Sequence, residues 1–308
     1  MKRAGAALDS VAGVIQQLAV LLGAGISPGT AWGYLATGES GSTDDPVAAI
    51  GSAVASGTPP PIAIRTQTAG LPTGPAWAAV AAAWHVAGDA GAPLAPTLRD
   101  FATSLRATAA IERGIETTLS APRATARMVM ALPVVGVLFG TALGFDTIGI
   151  LFTTIPGAIC LGLAAVLLLV AAWWNRRLVR AASPRSVNPG LRADLLAIAV
   201  SGGASLDRAM SAVDSAISAS FPEGAEDDAA ETAAVLELSR RAGVPAAELL
   251  RSSADEARRT ATAQAERKAS VLAVTLMLPL GLCILPAFMV VGVVPLVIAV
   301  ISSTAAGF

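Results

Sequence analysis

"LLGAGISPGTAW", Leu21 to Trp32, and "VSGGASLDRAM", Val200 to Met210, set down one pattern twice in a chain of 308 residues. The first copy has the glycines of a phosphate-cradling loop. No lysine follows them, however, and the chain holds only two, Lys2 and Lys268, neither at the spacing of a nucleotide-binding loop. No strand pattern precedes them either. The pattern reads instead as the corner of a helical hairpin. Gly25 or Gly203 stands near the end of one helix, Ser27 or Ser205 caps the next, and Pro28 takes the first helical position, where its missing N–H costs nothing.

Aligning the chain with itself extends the duplication. "LAVLLGAGISPGTAW" from Leu18 lies without gaps on "LAIAVSGGASLDRAM" from Leu196, and "AGAPLAPTLR" from Ala90 lies on "AGVPAAELLR" from Ala242. Each copy therefore orders its features as helix, Gly-Ser corner, helix, insert, helix, Gly-Pro turn and a long polar helix running into an apolar block. Apolar residues recur at helical spacing, as in Leu8, Val11, Val14, Ile15, Leu18, Leu21 and Leu22. The first copy carries the longer insert, residues 37–75. Its Gly, Ser, Thr and Pro content, with "SGTPPPIAI" at its centre, predicts a poorly packed loop.

The chain is 54 % hydrophobic and 14 % charged, with a mean hydropathy of +0.65, which is too apolar for an ordinary soluble domain. The charges are segregated. Residues 1–127 hold eight Lys/Arg and eight Asp/Glu, and residues 175–270 hold thirteen of each. Residues 128–174 and 271–308 together carry a single charge, Asp146. A membrane helix needs about 20 apolar residues. Met128 to Phe145 and Ile148 to Trp174 meet that length and read as a hairpin turning at Asp146. Arg113, Arg123 and Arg127 before it and Arg176, Arg177, Arg180 and Arg185 after it place both ends on the cytoplasmic side, with Trp173 and Trp174 at the interface. Val271 to Val300 reads as one tilted span bent at Pro279, Pro286 and Pro295, with a re-entrant hairpin as the alternative. The N-terminus has no signal-peptide pattern and is expected to stay cytoplasmic.

The expected fold is an all-α integral membrane protein. Two small antiparallel helical bundles, 1–127 and 175–270, face the cytoplasm and lead into about three spans: the hairpin 128–174 and the segment 271–300, before a tail, 301–308.

Catalytic readings find little support. The lone histidine, His85, has no nucleophile pattern around it, and the spans hold neither a histidine nor a lysine to serve an intramembrane protease. Cys160 and Cys283 supply neither a disulfide framework nor a metal site. No cofactor, metal or direct nucleic-acid binding is expected. Two interaction surfaces are candidates. Gly136, Gly140 and Gly144 put three small residues on one face of the first span, which permits close helix packing. The acidic loop with Glu223, Glu226, Asp227 and Asp228 and the charged helix with Arg258, Arg259 and Lys268 form a candidate docking surface for a cytoplasmic partner.

"ERKASVLAVTLMLPLGLCILPAFMVVGVVPLV", Glu266 to Val297, resembles the C-terminal signature of the type II secretion system F family. The two Gly-Ser corners resemble that family's opening helix and turn. "IERGIETTLSAPRATARMVMALP", Ile111 to Pro133, is similar to TadB-like members, and the second half to TadC-like members. The resemblance implies a non-enzymatic platform in the cell membrane, serving type II secretion, type IV pili or Flp (Tad) pili. It also implies a hexameric secretion ATPase and pilin or pseudopilin subunits as partners, and homo-oligomers in the bilayer. The two copies suggest a TadB/TadC fusion or a reduced two-domain platform. The alternative function is the membrane subunit of a small-solute transporter.

Overall fold

A computed structural model describes residues 4–37, 45–142, 149, 152, 154–182, 189–221, 228–275, 278, 280–295 and 297, and every regular element among them is helical. The first copy comprises α1 (Ala4–Gly23), α2 (Pro28–Ala36), α3 (Pro46–Ala55), α4 (Pro60–Thr68), α5 (Gly74–Ala90) and α6 (Leu94–Ala142). After α7 (Ile155–Ala182), the second copy comprises α8 (Leu191–Ser201), α9 (Leu206–Ser220), α10 (Ala229–Ala242) and α11 (Ala246–Thr275). The chain divides into two compact units. One is Met1–Gly114 with Pro184–Gln264, the other Ile115–Ser183 with Ala265–Phe308.

In the first unit, α1 buries Leu8, Val11, Ala12, Ile15, Leu18 and Ala19 along one stripe, as steps of three and four residues require. The two copies were expected as separate bundles. In the structure they share one apolar core, in which Ile15 and Trp77 of the first copy belong with Leu195 and Leu250 of the second. Helix α5 makes the junction by packing on both α8 and α9. Its alanines explain how: Ala79, Ala81, Ala82, Ala83 and Ala87 are buried around the helix, and a side chain of one carbon lets several neighbours approach. Gly202, in the second corner, is the closest of these approaches. A Cβ there would stand 2.5 Å from the Ala90 carbonyl oxygen.

The insert is not the loose loop its composition predicted. Residues 38–44 lie outside the described residues, but α3 and α4 are ordered helices with Val47, Ile50, Ala63 and Ile64 buried. The prolines that read as breakers are starts. Pro46 and Pro60 open the two helices, and the Asp45 carboxylate accepts the Val47 N–H at 3.0 Å. Gly51 lets α3 lie against α2, where an added Cβ would meet the Ala36 methyl at 2.6 Å.

In the second unit, α7 packs on a C-terminal helical segment made of a π-helical turn (Leu280–Ile284), α12 (Leu285–Phe288) and a second π-helical turn (Met289–Val293). Small residues of α7, Ala164 and Ala171, are buried against it. Ala164 clusters with Ala287 and Val291, and Ala171 with Cys283. Cys283, Ala287 and Val291 recur every fourth residue. A π turn is wider than an α turn, so this spacing stays on one face instead of drifting round the helix. Pro286, which removes an N–H and crowds the carbonyl four residues earlier, lies between the two wide turns.

Among the described residues, two helices are long and apolar enough to cross a membrane: Gly5–Gly23 and Ile155–Leu178. The first contributes its buried stripe to the core of unit one. The second leaves Ile155, Ile159, Leu163, Val166, Leu169, Val170 and Trp173 exposed. Asp146, the expected hairpin turn, and the 301–308 tail lie outside the described residues.

Candidate functional site

The corners that exposed the duplication are built alike. At the end of α1, Gly25 takes φ +85° and donates to the Leu22 carbonyl, while Ile26 donates to the Leu21 carbonyl. At the end of α8, Gly203 takes φ +88° and donates to Val200, and Ala204 to Ala199. Both pairs of bonds close a helix through a left-handed glycine. The later turns match as well. Gly91 ends α5 at φ +67° and Gly243 ends α10 at φ +68°.

The caps differ in one respect. Ser27 and Ser205 share extended backbone angles, yet only the Ser27 hydroxyl accepts a backbone bond, from Thr30 N–H at 3.3 Å. An equivalent arginine also stands over each corner. Arg99 lies beside Gly23, and Arg251 donates to the Ser201 hydroxyl at 3.0 Å.

Ion pairs then tie the long helices to the first helix of each copy. Arg113 of α6 pairs with Asp9 of α1. Arg258 of α11 pairs with Asp194 of α8 at 2.6 Å and with Asp255, one turn back, at 2.6 Å. Asp194 and Arg258 are each about one-fifth exposed. Burial lifts the Asp194 carboxyl above its ordinary value, although the Arg258 charge pulls the other way. Burial also works against the charge on Arg258, but the Asp194 and Asp255 carboxylates overcome it and hold the guanidinium protonated. A further pair joins Arg192 to Asp214 across α8 and α9.

The predicted docking residues are thus divided. Arg258 is engaged inside the fold, while Arg259 and Lys268 are exposed on α11. Asp228 sits at the start of α10, where its carbonyl accepts the Thr232 hydroxyl at 2.6 Å. Glu223, Glu226 and Asp227 lie outside the described residues, as does Gly144. Gly136 and Gly140 fall within α6, but the surroundings of their side-chain positions are also outside what is described.

Sequence reasoning missed Asp194, whose link to Arg258 spans 64 residues and carries no local signal. It also missed the nest of Trp32, Trp77 and Trp84, with ring centroids 6.4 and 6.2 Å apart. The i,i+3 spacing of Asp255 and Arg258 was the one part of this network open to inspection.

These ion pairs each lie within one copy, and the two copies meet through their shared apolar core. Residues 14–142 match the family model of type II secretion system (T2SS), protein F. The matched stretch begins within α1 and ends with α6, so it covers the first copy almost entirely. This stretch is therefore similar to that family, whose members are membrane platform proteins of secretion or pilus systems. Comparison with curated proteins and with solved structures found no match.

Proposed function

We propose that this chain is a multi-pass platform of the cell membrane that couples a cytoplasmic secretion ATPase to the assembly of pilin or pseudopilin subunits. The observation that carries this reading is the F-family match over the first copy, joined to a second copy with the same glycine-ended corners. On this reading the unit of Met1–Gly114 and Pro184–Gln264 is cytoplasmic, and the apolar α7 belongs to the bilayer. Both long helices, α6 and α11, contribute residues to each of the two units. Arg259 and Lys268, exposed on α11, are the docking residues this reading retains from the charged helix, with the Glu223–Asp228 loop as their acidic counterpart. The chain performs no chemistry of its own; the energy comes from the ATPase. Its assembly as a homo-oligomer and its descent from a TadB/TadC-type fusion belong to the same proposal.

The experiment is co-purification from detergent with the secretion ATPase encoded beside it, together with a pilus or secretion assay in a deletion strain. Recovery of the ATPase and loss of surface filaments or secreted substrate support the platform. Solute flux in reconstituted vesicles without any ATPase association would overturn it in favour of a transporter subunit.

A further inference from the structure

The exposed side chains of α7 are ordered in a way that a merely apolar helix does not require. Leu169, Val170, Trp173 and Arg177 stand three, four, seven and eleven residues after Val166, which places them on one face. All five are exposed, Trp173 at 62 %. The stripe is apolar until its last turn, where the Arg177 guanidinium lies over the Trp173 indole with Cζ 5.5 Å from the ring centroid. Stacking fixes the plane of the guanidinium and leaves its edge N–H groups free to donate. Arg176, the next cation, is also exposed, and neither arginine has a carboxylate partner among the described residues. Residues 147–193 contain no Asp or Glu at all, so this stretch of chain supplies nothing to neutralise them.

We infer that Arg176, Arg177 and Trp173 form a binding site for the headgroup of an anionic phospholipid, whose acyl chain lies along Val170, Leu169 and Val166. The inference rests on the membrane reading above. Geometry and charge select this ligand together. From Val166 to Arg177 the helix rises about 16 Å, close to one leaflet of a hydrocarbon core roughly 30 Å thick. A phosphodiester oxygen pair suits the planar fork of a guanidinium, and the indole N–H belongs at the level of the headgroups. Two uncompensated cations favour a lipid with net negative charge over a zwitterionic one, by about fivefold per arginine.

The test uses the full chain in nanodiscs of mixed phosphatidylcholine and phosphatidylglycerol, with native mass spectrometry of the lipids it retains on release. The expected result is several-fold enrichment of phosphatidylglycerol, lost in the Arg176→Gln/Arg177→Gln variant and weakened in Trp173→Leu. Far-UV circular dichroism confirms that both variants remain helical. Equal retention of the two lipids by the parent chain, or enrichment unchanged in the double arginine variant, overturns the site. Displacement of the lipid by millimolar inorganic phosphate overturns it in favour of a free-anion site. A chain that enters no bilayer of any composition fails earlier, and removes the membrane reading together with the site.

Discussion

Arg258 on α11 donates to Asp194 on α8 across 2.6 Å, which pins the long helix of the second copy to the first helix of the same copy. Asp255 holds the same guanidinium from one turn away but is 61 % exposed. Removing either partner of the inner pair leaves a largely buried charge with too few bonds. Asp194→Asn is expected to lower stability by about 1–3 kcal/mol at neutral pH, whereas Asp255→Asn costs under about 1 kcal/mol, since water screens it. Thermal unfolding of the detergent-solubilised chain measures both. Equal losses from the two substitutions would show that burial does not distinguish the carboxylates.

The same pair has a pH signature. Because burial raises the Asp194 carboxyl above its ordinary value of 3.8, the native state holds that proton more tightly than the unfolded chain does. The part of its contribution that is linked to this proton is complete below pH 3.8 and is lost as pH rises through the native value, leaving the ion pair with Arg258 that the Asn variant lacks. The advantage of the parent chain over Asp194→Asn is therefore expected to shrink on going upward from pH 3.8. Melting temperatures of the two chains at matched pH values give the slope, and an advantage that grows with pH contradicts it.

Neighbouring glycines in the second corner should fail for different reasons. At Gly203 the penalty is conformational: φ is +88° and no atom lies within 4 Å of a Cβ position, so Gly203→Ala costs about 1–2 kcal/mol. Gly25, at φ +85° with equally open space, should cost the same. Gly202 has an ordinary φ of −74°, yet its Cβ would press on the Ala90 carbonyl. Gly202→Ala strains the junction between the two copies and is expected to cost about 1–3 kcal/mol. Pairing Gly202→Ala with Ala90→Gly removes the side-chain part of the clash but not the carbonyl contact, so rescue should be partial.

The two serine caps separate an interaction from a position. Ser27→Ala removes a bond to the Thr30 N–H and is expected to cost about 1 kcal/mol. Ser205→Ala removes no cap bond and should lie within about 0.5 kcal/mol of the parent. Denaturant midpoints of the two variants decide the matter, and equal losses would mean that Ser205 caps its helix in solution.

Tight packing of α7 on the C-terminal segment depends on small side chains. Ala287 is fully buried beside Ala164, so Ala287→Leu introduces three heavy atoms where there is no space. A loss of about 1–3 kcal/mol is expected, while Leu285→Ala, at an exposed position, should have little effect in detergent. Protease protection of the full chain in detergent reports both.

Much of this protein was legible from its residues because the deciding signals are local. A glycine that must take a positive φ, a serine that must start a helix and apolar residues every three or four positions fix helices and corners through the backbone itself. Repetition of "LLGAGISPGTAW" in "VSGGASLDRAM" therefore identified two copies before any packing was known, and the nearly charge-free block 128–174 marked out most of the apolar α7 by composition alone. The insert misled because proline serves equally as a helix breaker and a helix start. Only the buried faces of Val47, Ile50, Ala63 and Ile64 show which role it has here.

Tertiary structure decided what the residues touch. It merged two expected bundles into one core through the alanines of α5, and it engaged Arg258 with an aspartate 64 residues away. It also brought Cys283, Ala287 and Val291 onto one face through π turns. Burial and ion pairing depend on which surfaces meet across the chain, and an alanine or an arginine reads the same in sequence whether it meets solvent or a neighbouring helix.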